Sequence, residues 1–438
     1  MKYDENIYQL YESLDAEDVI VATYYVAGYS SDLLNKAGAM AIEQTTGTWR
    51  PVPLETPEVR RLHGGKVIGV YEIPNYEFDM ADLQGQERHA VLQIAFPFEN
   101  FGCNLGQLLS SVIGNISFAG KCKLLDVHLP KKFVNGFQGP QFGIEGLREM
   151  MNVPKRPIIV SMIKPCTGAS PDDVYKLVHE LGMAGIDWIK DDELFSDTDY
   201  CHIEDRCKKA VEALKDVYEK TGKKVIYSPN ITDRPDLMLE KAKRVQELGA
   251  GALMVNALPI GWTSMQMLAE NKDIHLPILA HPCFSGAMYE SHYSGLASHL
   301  VLGKFMRMCG ADLVIYPCAY GKVDIKREGY IRIAQTLTSK LGDMKRTFPG
   351  PAAGIYHGLI PDIVEDMGLD FSISAGAAMH AHPNGSGAGT RSLIAAAEAV
   401  AQGIPLREAA KDCEDLKIAL DIWGEGASTD NKIFDLKK

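Results

Sequence analysis

One lysine and three acids follow each other directly where an apolar run stops, in Gly185–Phe195, GIDWIKDDELF. On an extended chain Lys190 and Asp192 share a face, Asp191 points to the other, and Glu193 begins the loop. A buried ion pair closing the strand is one reading, because such pairs also decorate strand ends. A Mg2+ site is the other, because Mg2+ takes hard oxygen ligands and only one or two protein carboxylates. An ammonium would repel that cation. Burial, however, drives a lysine toward the neutral amine, and a neutral amine can add CO2 to become a carbamate, an anionic oxygen ligand. Other reactive side chains follow apolar runs in the same way: Lys164 in SMIKPC, His281 in LAHPC and Lys322 in CAYGKVD. The small residues of PAAG and SAGAAMHAHPNG, including Gly354, Gly376 and Ala377, suit a cradle of backbone N–H groups around a phosphate. His281 alone would fit a hydrogen-bonded core histidine, and the HAH at 380–382 reads as structural.

Elements that bring these groups together are visible from Pro157 onward. Eight short apolar runs alternate with amphipathic stretches: IIVSMIKP, GIDWIKDD, KVIYSPNI, GALMVNAL, PILAHPC, DLVIYPC, RTFPGPAAG and DFSISAGA. Runs without period-2 alternation suit strands buried on both faces of a parallel sheet. Eight strand–helix cycles over about 250 residues fit a (β/α)8 barrel, whose catalytic groups sit at the C-terminal ends of its strands. Helix boundaries are marked as well: Ser170 and Pro171 open SPDDVYKLVHELGMAG, and glycines close it and two later helices. Residues 1–150 instead mix strand-like DVIVATYYV and RHAVLQIAF with the helical candidates SSDLLNKAGAMAIEQ and CNLGQLLSSVIGN, an α+β (ferredoxin-like) pattern. The expected organisation is an α+β domain over 1–150 and a barrel with a helical tail over 151–438.

Composition excludes several classes. The net charge of −12 argues against nucleic acid or an anionic membrane as partner. No apolar run reaches the roughly 18 residues of a membrane span, and the N-terminus lacks a secretory pattern. Nine scattered cysteines without a CxxC read as reduced thiols of a cytoplasmic protein.

GIDWIKDDE resembles the motif Gly-x-Asp-Phe-x-Lys-x-Asp-Glu of the ribulose-bisphosphate carboxylase (RuBisCO) superfamily. The resemblance spans nearly the whole chain. It implies a carbamylated Lys190 that holds Mg2+ together with Asp192 and Glu193. It implies proton handling by Lys164 in IKP, a mobile loop carrying Lys322 in GK, and a site histidine at His281. EQTTGTW resembles the family's Glu-x-x-Thr-Gly-Thr-Trp and implies substrate-binding roles for Glu43, Thr48 and Trp49; GN at 114–115 adds Asn115. In the family these last residues reach a partner's barrel, which implies a homodimer with shared sites or a higher oligomer.

Departures from the family pattern shape the expected function. Where carboxylases carry a second lysine, an arginine, a histidine and a serine, this sequence has Cys166, Pro282, Ile315 and Ala352. The last three replace groups that bind one of two phosphates. The other cradle, from Thr48, Trp49, Gly354, Gly376 and Ala377, is partly kept. The resemblance therefore implies a RuBisCO-like protein that forms an enediolate from a monophosphorylated sugar or sugar acid without fixing CO2. Decarboxylation or carboxyl cleavage of a 3-oxo sugar-acid phosphate, of the 3-oxo-isoapionate 4-phosphate type, is the favoured expectation. A 2,3-diketo-5-methylthiopentyl-1-phosphate enolase or a methylthioribulose-1-phosphate isomerase is the alternative, and a non-catalytic regulatory homologue is the alternative of another class.

Overall fold

The computed structural model describes residues 4–29, 32–47, 52–78 and 85–427. They fall into two compact units: Met1–Phe137 with Ser285–Val301 and Leu341–Asp343, and Gln138–Phe284 with Leu302–Lys340 and Met344–Lys438.

In the first unit, β1 (Val19–Gly28), β2 (Lys66–Glu72), β3 (Arg88–Pro97), β4 (Lys121–His128) and β10 (Ser294–Leu296) form one mixed sheet. Their order is β10-β4-β1-β3-β2. β1 and β3 pair antiparallel from Val19 opposite Pro97 to Gly28 opposite Arg88, while β10 runs parallel to β4. Helices Leu33–Glu43 and Leu105–Val112 occupy the two stretches where helical periodicity was expected. The Asp32 and Asn104 side chains accept the N–H of Asn35 and Gln107, satisfying donors that the first turn leaves open. The buried Tyr24 hydroxyl of β1 donates to the Val112 carbonyl and ties a helix end to the sheet.

In the second unit the eight apolar runs become eight parallel strands: β5 (Ile158–Met162), β6 (Trp188–Lys190), β7 (Ile226–Ser228), β8 (Leu253–Asn256), β9 (Ile278–His281), β11 (Leu313–Pro317), β12 (Phe348–Ala352) and β13 (Ser372–Ser374). Hydrogen bonds order them as β13-β5-β6-β7 and β12-β11-β9-β8. A parallel bridge between Asn230 and Met254 continues the ring from β7 to β8. The capping box of Ser170 and Asp173 opens the helix Pro171–Met183 as expected. The helix Ser386–Gln402 passes close to the chain before it at Gly389, where a Cβ would sit 2.1 Å from the Met379 carbonyl oxygen.

Below the ring, the helix Gly143–Met151 packs Ile144, Leu147 and Met151 against Ile158, Trp188, Leu279, Leu313 and Phe348. The buried Asp312 carboxylate accepts the Phe142 and Gly143 N–H groups, both at 2.8 Å, and that of Ile278 at 2.9 Å. A division near residue 150 would detach this helix from the strands it packs on; the second unit begins at Gln138. Asp187 ties another strand base. Its buried carboxylate accepts from Arg156 at 2.6 and 2.9 Å, from Lys223 at 2.7 Å and from the Ile159 N–H at 2.8 Å. All nine cysteines are free thiols. No helix among the described residues is long and apolar enough to cross a membrane.

Candidate active site

Lys190 is the last residue of β6 and only 1% exposed. Its Nζ donates to the Asp191 carbonyl at 2.9 Å and lies 3.5 Å from Glu193 Oε2. Burial pushes its pKa below the ordinary lysine value, against the opposing pull of Glu193 and Asp192. Asp191 turns away from this face. Its carboxylate accepts from Arg206 Nε at 2.9 Å, the Tyr227 hydroxyl at 2.6 Å and the Asn230 N–H at 2.9 Å, all buried. It anchors the strand end, leaving Lys190, Asp192 and Glu193 on the cavity side.

The neighbouring strand ends deliver the other groups. Lys164 Nζ lies 2.6 Å from Asp192 Oδ2 and 2.8 Å from Cys166 Sγ. Burial alone would lower the Lys164 pKa; the bonds to Asp192 and Cys166 outweigh it and raise the pKa. His281 Nδ1 faces the Cys283 N–H at 3.3 Å, so Nδ1 accepts, and the Nε2–H side lies 3.3 Å from Glu193 Oε2. Burial, then the nearby Lys190 charge, holds His281 well below the usual histidine value, so the ring is neutral near pH 7. Two asparagines that the sequence reading passed over hold Glu193 from behind: Asn230 and Asn256 donate to its carbonyl at 3.3 and 2.9 Å. Each lies at or just beyond a strand's C-terminal end, so the rule that picked out Lys164 and His281 would also have found them.

A cavity of about 560 Å3 collects Lys164, Lys190, Asp192, Glu193, His281 and Lys322. Gly354, Gly376 and Ala377 line the same cavity. Gly354 has φ +97°, and a Cβ there would lie 2.7 Å from the Lys322 N atom, so only glycine lets the Lys322 loop pack this closely. Pro282, Ile315 and Ala352 also line the cavity and supply hydrocarbon surface. Tyr356 and Trp423, which the sequence reading did not single out, complete part of the wall. The HAH motif is structural: His380 bonds the Met162 carbonyl and Ser386 at 3.0 Å, and His382 bonds the Asp415 carbonyl at 3.0 Å.

Whether these residues suit Mg2+ turns on the donor set. No three His, Cys, Asp or Glu side chains converge as a metal site among the described residues. Asp192 and Glu193 offer two carboxylates, and Lys190 as a carbamate would add a third anionic oxygen. A fully buried amine with a depressed pKa, beside two carboxylates, fits a carbamate in that role. In the first unit, Asn115 Nδ2 lies 3.4 Å from Glu43 Oε1, so these two expected site residues are neighbours. Thr48 and Trp49 lie outside the described residues.

Comparison with known proteins agrees with this architecture. Residues 8–133 match the model of the ribulose bisphosphate carboxylase large chain N-terminal domain, and residues 143–423 match that of the catalytic domain. A ribulose bisphosphate carboxylase-like protein of Archaeoglobus fulgidus is 45% identical over 90% of both chains. A 2,3-diketo-5-methylthiopentyl-1-phosphate enolase of Geobacillus kaustophilus is 39% identical over 92% of this chain and 98% of its own. The crystal structure of a rubisco-like protein from Alicyclobacillus acidocaldarius superposes with a TM-score of 0.85 at 37% identity, over 93% of this chain and 100% of its own. With Lys190, Asp192 and Glu193 grouped at the end of β6 and both family domains matched, the chain belongs to the ribulose bisphosphate carboxylase large-chain family, among its RuBisCO-like members.

Proposed function

We propose that this protein is a Mg2+-dependent enolase acting on a monophosphorylated diketone of the 2,3-diketo-5-methylthiopentyl 1-phosphate class. The observation that carries the reading is the cavity lining, which combines Lys164, Lys190, Asp192, Glu193 and Lys322 with the hydrocarbon of Pro282, Ile315 and Ala352. Lys190 as a carbamate, Asp192 and Glu193 would hold the cation. Bound there, Mg2+ would polarise the substrate carbonyl and lower the cost of forming the enediolate. A cation on Asp192 would draw on the carboxylate charge that now raises the Lys164 pKa, which favours Lys164 as the neutral amine that takes the substrate proton. Neutral His281 donates toward Glu193 and fixes its orientation. Lys322 closes over the site and stabilises developing negative charge. Backbone N–H groups at Gly354, Gly376 and Ala377 take the one phosphate. Glu43, Thr48, Trp49 and Asn115 bind substrate from a partner subunit in a homodimer, a reading supported by the family motif they belong to.

The apolar lining residues and the enolase relatives favour this reaction over cleavage of a 3-oxo sugar-acid phosphate, which the sequence alone put first. A sugar acid would set a carboxylate and hydroxyls against hydrocarbon without partners, whereas an alkyl or thioether tail gains by leaving water there. Cys166 in place of the family's second lysine is the feature that still supports cleavage, as a second reading. A regulatory, non-catalytic role gives no reason to bury Lys190 beside two carboxylates. The test is an NMR assay of both substrates with Mg2+ and bicarbonate. Enol formation from the diketone supports the proposal; turnover of the sugar acid alone replaces it with the second reading; turnover of neither contradicts both.

A further inference from the structure

We propose that Lys164 and Cys166 form a reversible covalent sulfur–nitrogen cross-link, a sulfenamide, when the protein meets hydrogen peroxide. The Lys164 Nζ and Cys166 Sγ atoms already lie 2.8 Å apart. Cys166 is half-buried, within reach of a small oxidant, whereas Cys122, Cys201, Cys207, Cys309 and Cys318 are buried. Burial pushes the thiols of Cys207 and Cys318 up to about 12, which disfavours the thiolate that peroxide attacks. Cys283 is also half-buried, but burial raises its thiol to about 11. Cys103 is exposed, but its Sγ faces the Lys132 carbonyl oxygen, which offers no amine. At Cys166 the Lys164 nitrogen already lies within reach of the sulfur.

Two steps lead to the product. The Cys166 sulfur attacks peroxide; the O–O bond breaks, the thiol becomes a sulfenic acid and one water leaves, with sulfur oxidised by two electrons and peroxide reduced by two. The Lys164 amine, with its extra proton released to solvent, then attacks the sulfenic sulfur 2.8 Å away. The N–S bond forms, the S–O bond breaks, and a second water leaves. Two equivalents of an external thiol reverse the cross-link, returning the cysteine and the amine and forming a disulfide. While it persists, the Lys164 nitrogen is no longer available to Asp192 or to a substrate.

Trypsin does not cut the Lys164–Pro165 bond, so both residues lie in one peptide, Arg156–Lys176. The intact protein is treated with hydrogen peroxide, alkylated and digested for mass spectrometry. The expected result is a peptide lighter by two hydrogens, with no alkylated cysteine, restored to its native mass by dithiothreitol. The shift disappears in Cys166→Ser and in Lys164→Arg, and the second variant leaves a sulfenic acid that dimedone traps. Circular dichroism confirms that both variants fold. A wild-type peptide that keeps its mass or only gains oxygen overturns the proposal, as does a loss of two hydrogens that persists in Lys164→Arg. The mass readout is independent of the enolase reading: a cross-link that forms without loss of turnover contradicts the role of Lys164 in catalysis and leaves the modification standing.

Discussion

Lys164 Nζ and Asp192 Oδ2 are 2.6 Å apart, so the lysine assigned to proton transfer and a carboxylate assigned to the cation share one hydrogen bond. The two roles draw on the charge of one carboxylate. Replacing Lys164 with methionine should lower turnover about 10²–10⁴-fold, the usual worth of a positioned acid–base group. Mg2+ affinity should not fall, because Asp192 loses a competitor. Steady-state kinetics with calorimetric Mg2+ titration separates the two effects; a parallel loss of affinity would show that Lys164 helps to build the site.

Asn256 acts on the site through Glu193. Its Nδ2 holds the Glu193 carbonyl at 2.9 Å, and its own buried Oδ1 has no partner among the described residues. Asn256→Ala should weaken Mg2+ binding roughly 10–100-fold, as removal of an outer support for a ligand does. The melting temperature should change little. An unchanged Mg2+ titration would place Glu193 under the control of Asn230 alone.

Asp187 links the motif to stability rather than chemistry. Burial alone would raise its pKa, but Arg156 and Lys223 outweigh it and hold the folded value below the usual carboxylate range. Its contribution is therefore present above the unfolded value of about 3.9 and is lost as pH falls through the folded value. Asp187→Asn should cost on the order of 3 kcal/mol at pH 7, since it leaves two cations facing a neutral amide. Urea unfolding should show the gap to wild type narrowing below about pH 4. A gap that widens with acid would reverse the assigned sign.

Asp187 and Asn256 also mark where sequence reading stops. The eight barrel strands were legible because continuous apolar runs flanked by capped helices are a local signal, and Lys164, Lys190, His281 and Lys322 followed from their places at strand ends. That Asp187 serves Arg156 and Lys223, or that Asn256 supports Glu193, depends on partners far along the chain. The placement of β10 beside β4 is hidden for the same reason: a three-residue strand paired parallel across the fold has no periodic signature.

The loss of arginine, histidine and serine to Pro282, Ile315 and Ala352 predicts the number of phosphates. Charge-assisted hydrogen bonds contribute about 1.5–3 kcal/mol each, so losing two or three costs roughly 3–9 kcal/mol. That corresponds to about a hundredfold to a millionfold in affinity. Ribulose bisphosphate should bind no better than a matched monophosphate in calorimetry with Mg2+ and bicarbonate. Tight bisphosphate binding, or any carboxylation of it, would overturn the assigned substrate class.

Lys190 carries the central claim, that a buried lysine completes an anionic Mg2+ site by adding CO2. The direct measurement is a Mg2+ titration with and without ¹³C-bicarbonate, followed by carbon NMR, on the wild type, Lys190→Ala and Lys190→Glu. Wild type should bind Mg2+ more tightly with bicarbonate and show a carbamate carbon. Lys190→Ala should lose both the carbamate signal and the bicarbonate effect, and Lys190→Glu should regain part of the affinity without bicarbonate. Equal Mg2+ affinity with and without bicarbonate, or undiminished binding in Lys190→Ala, would contradict the account.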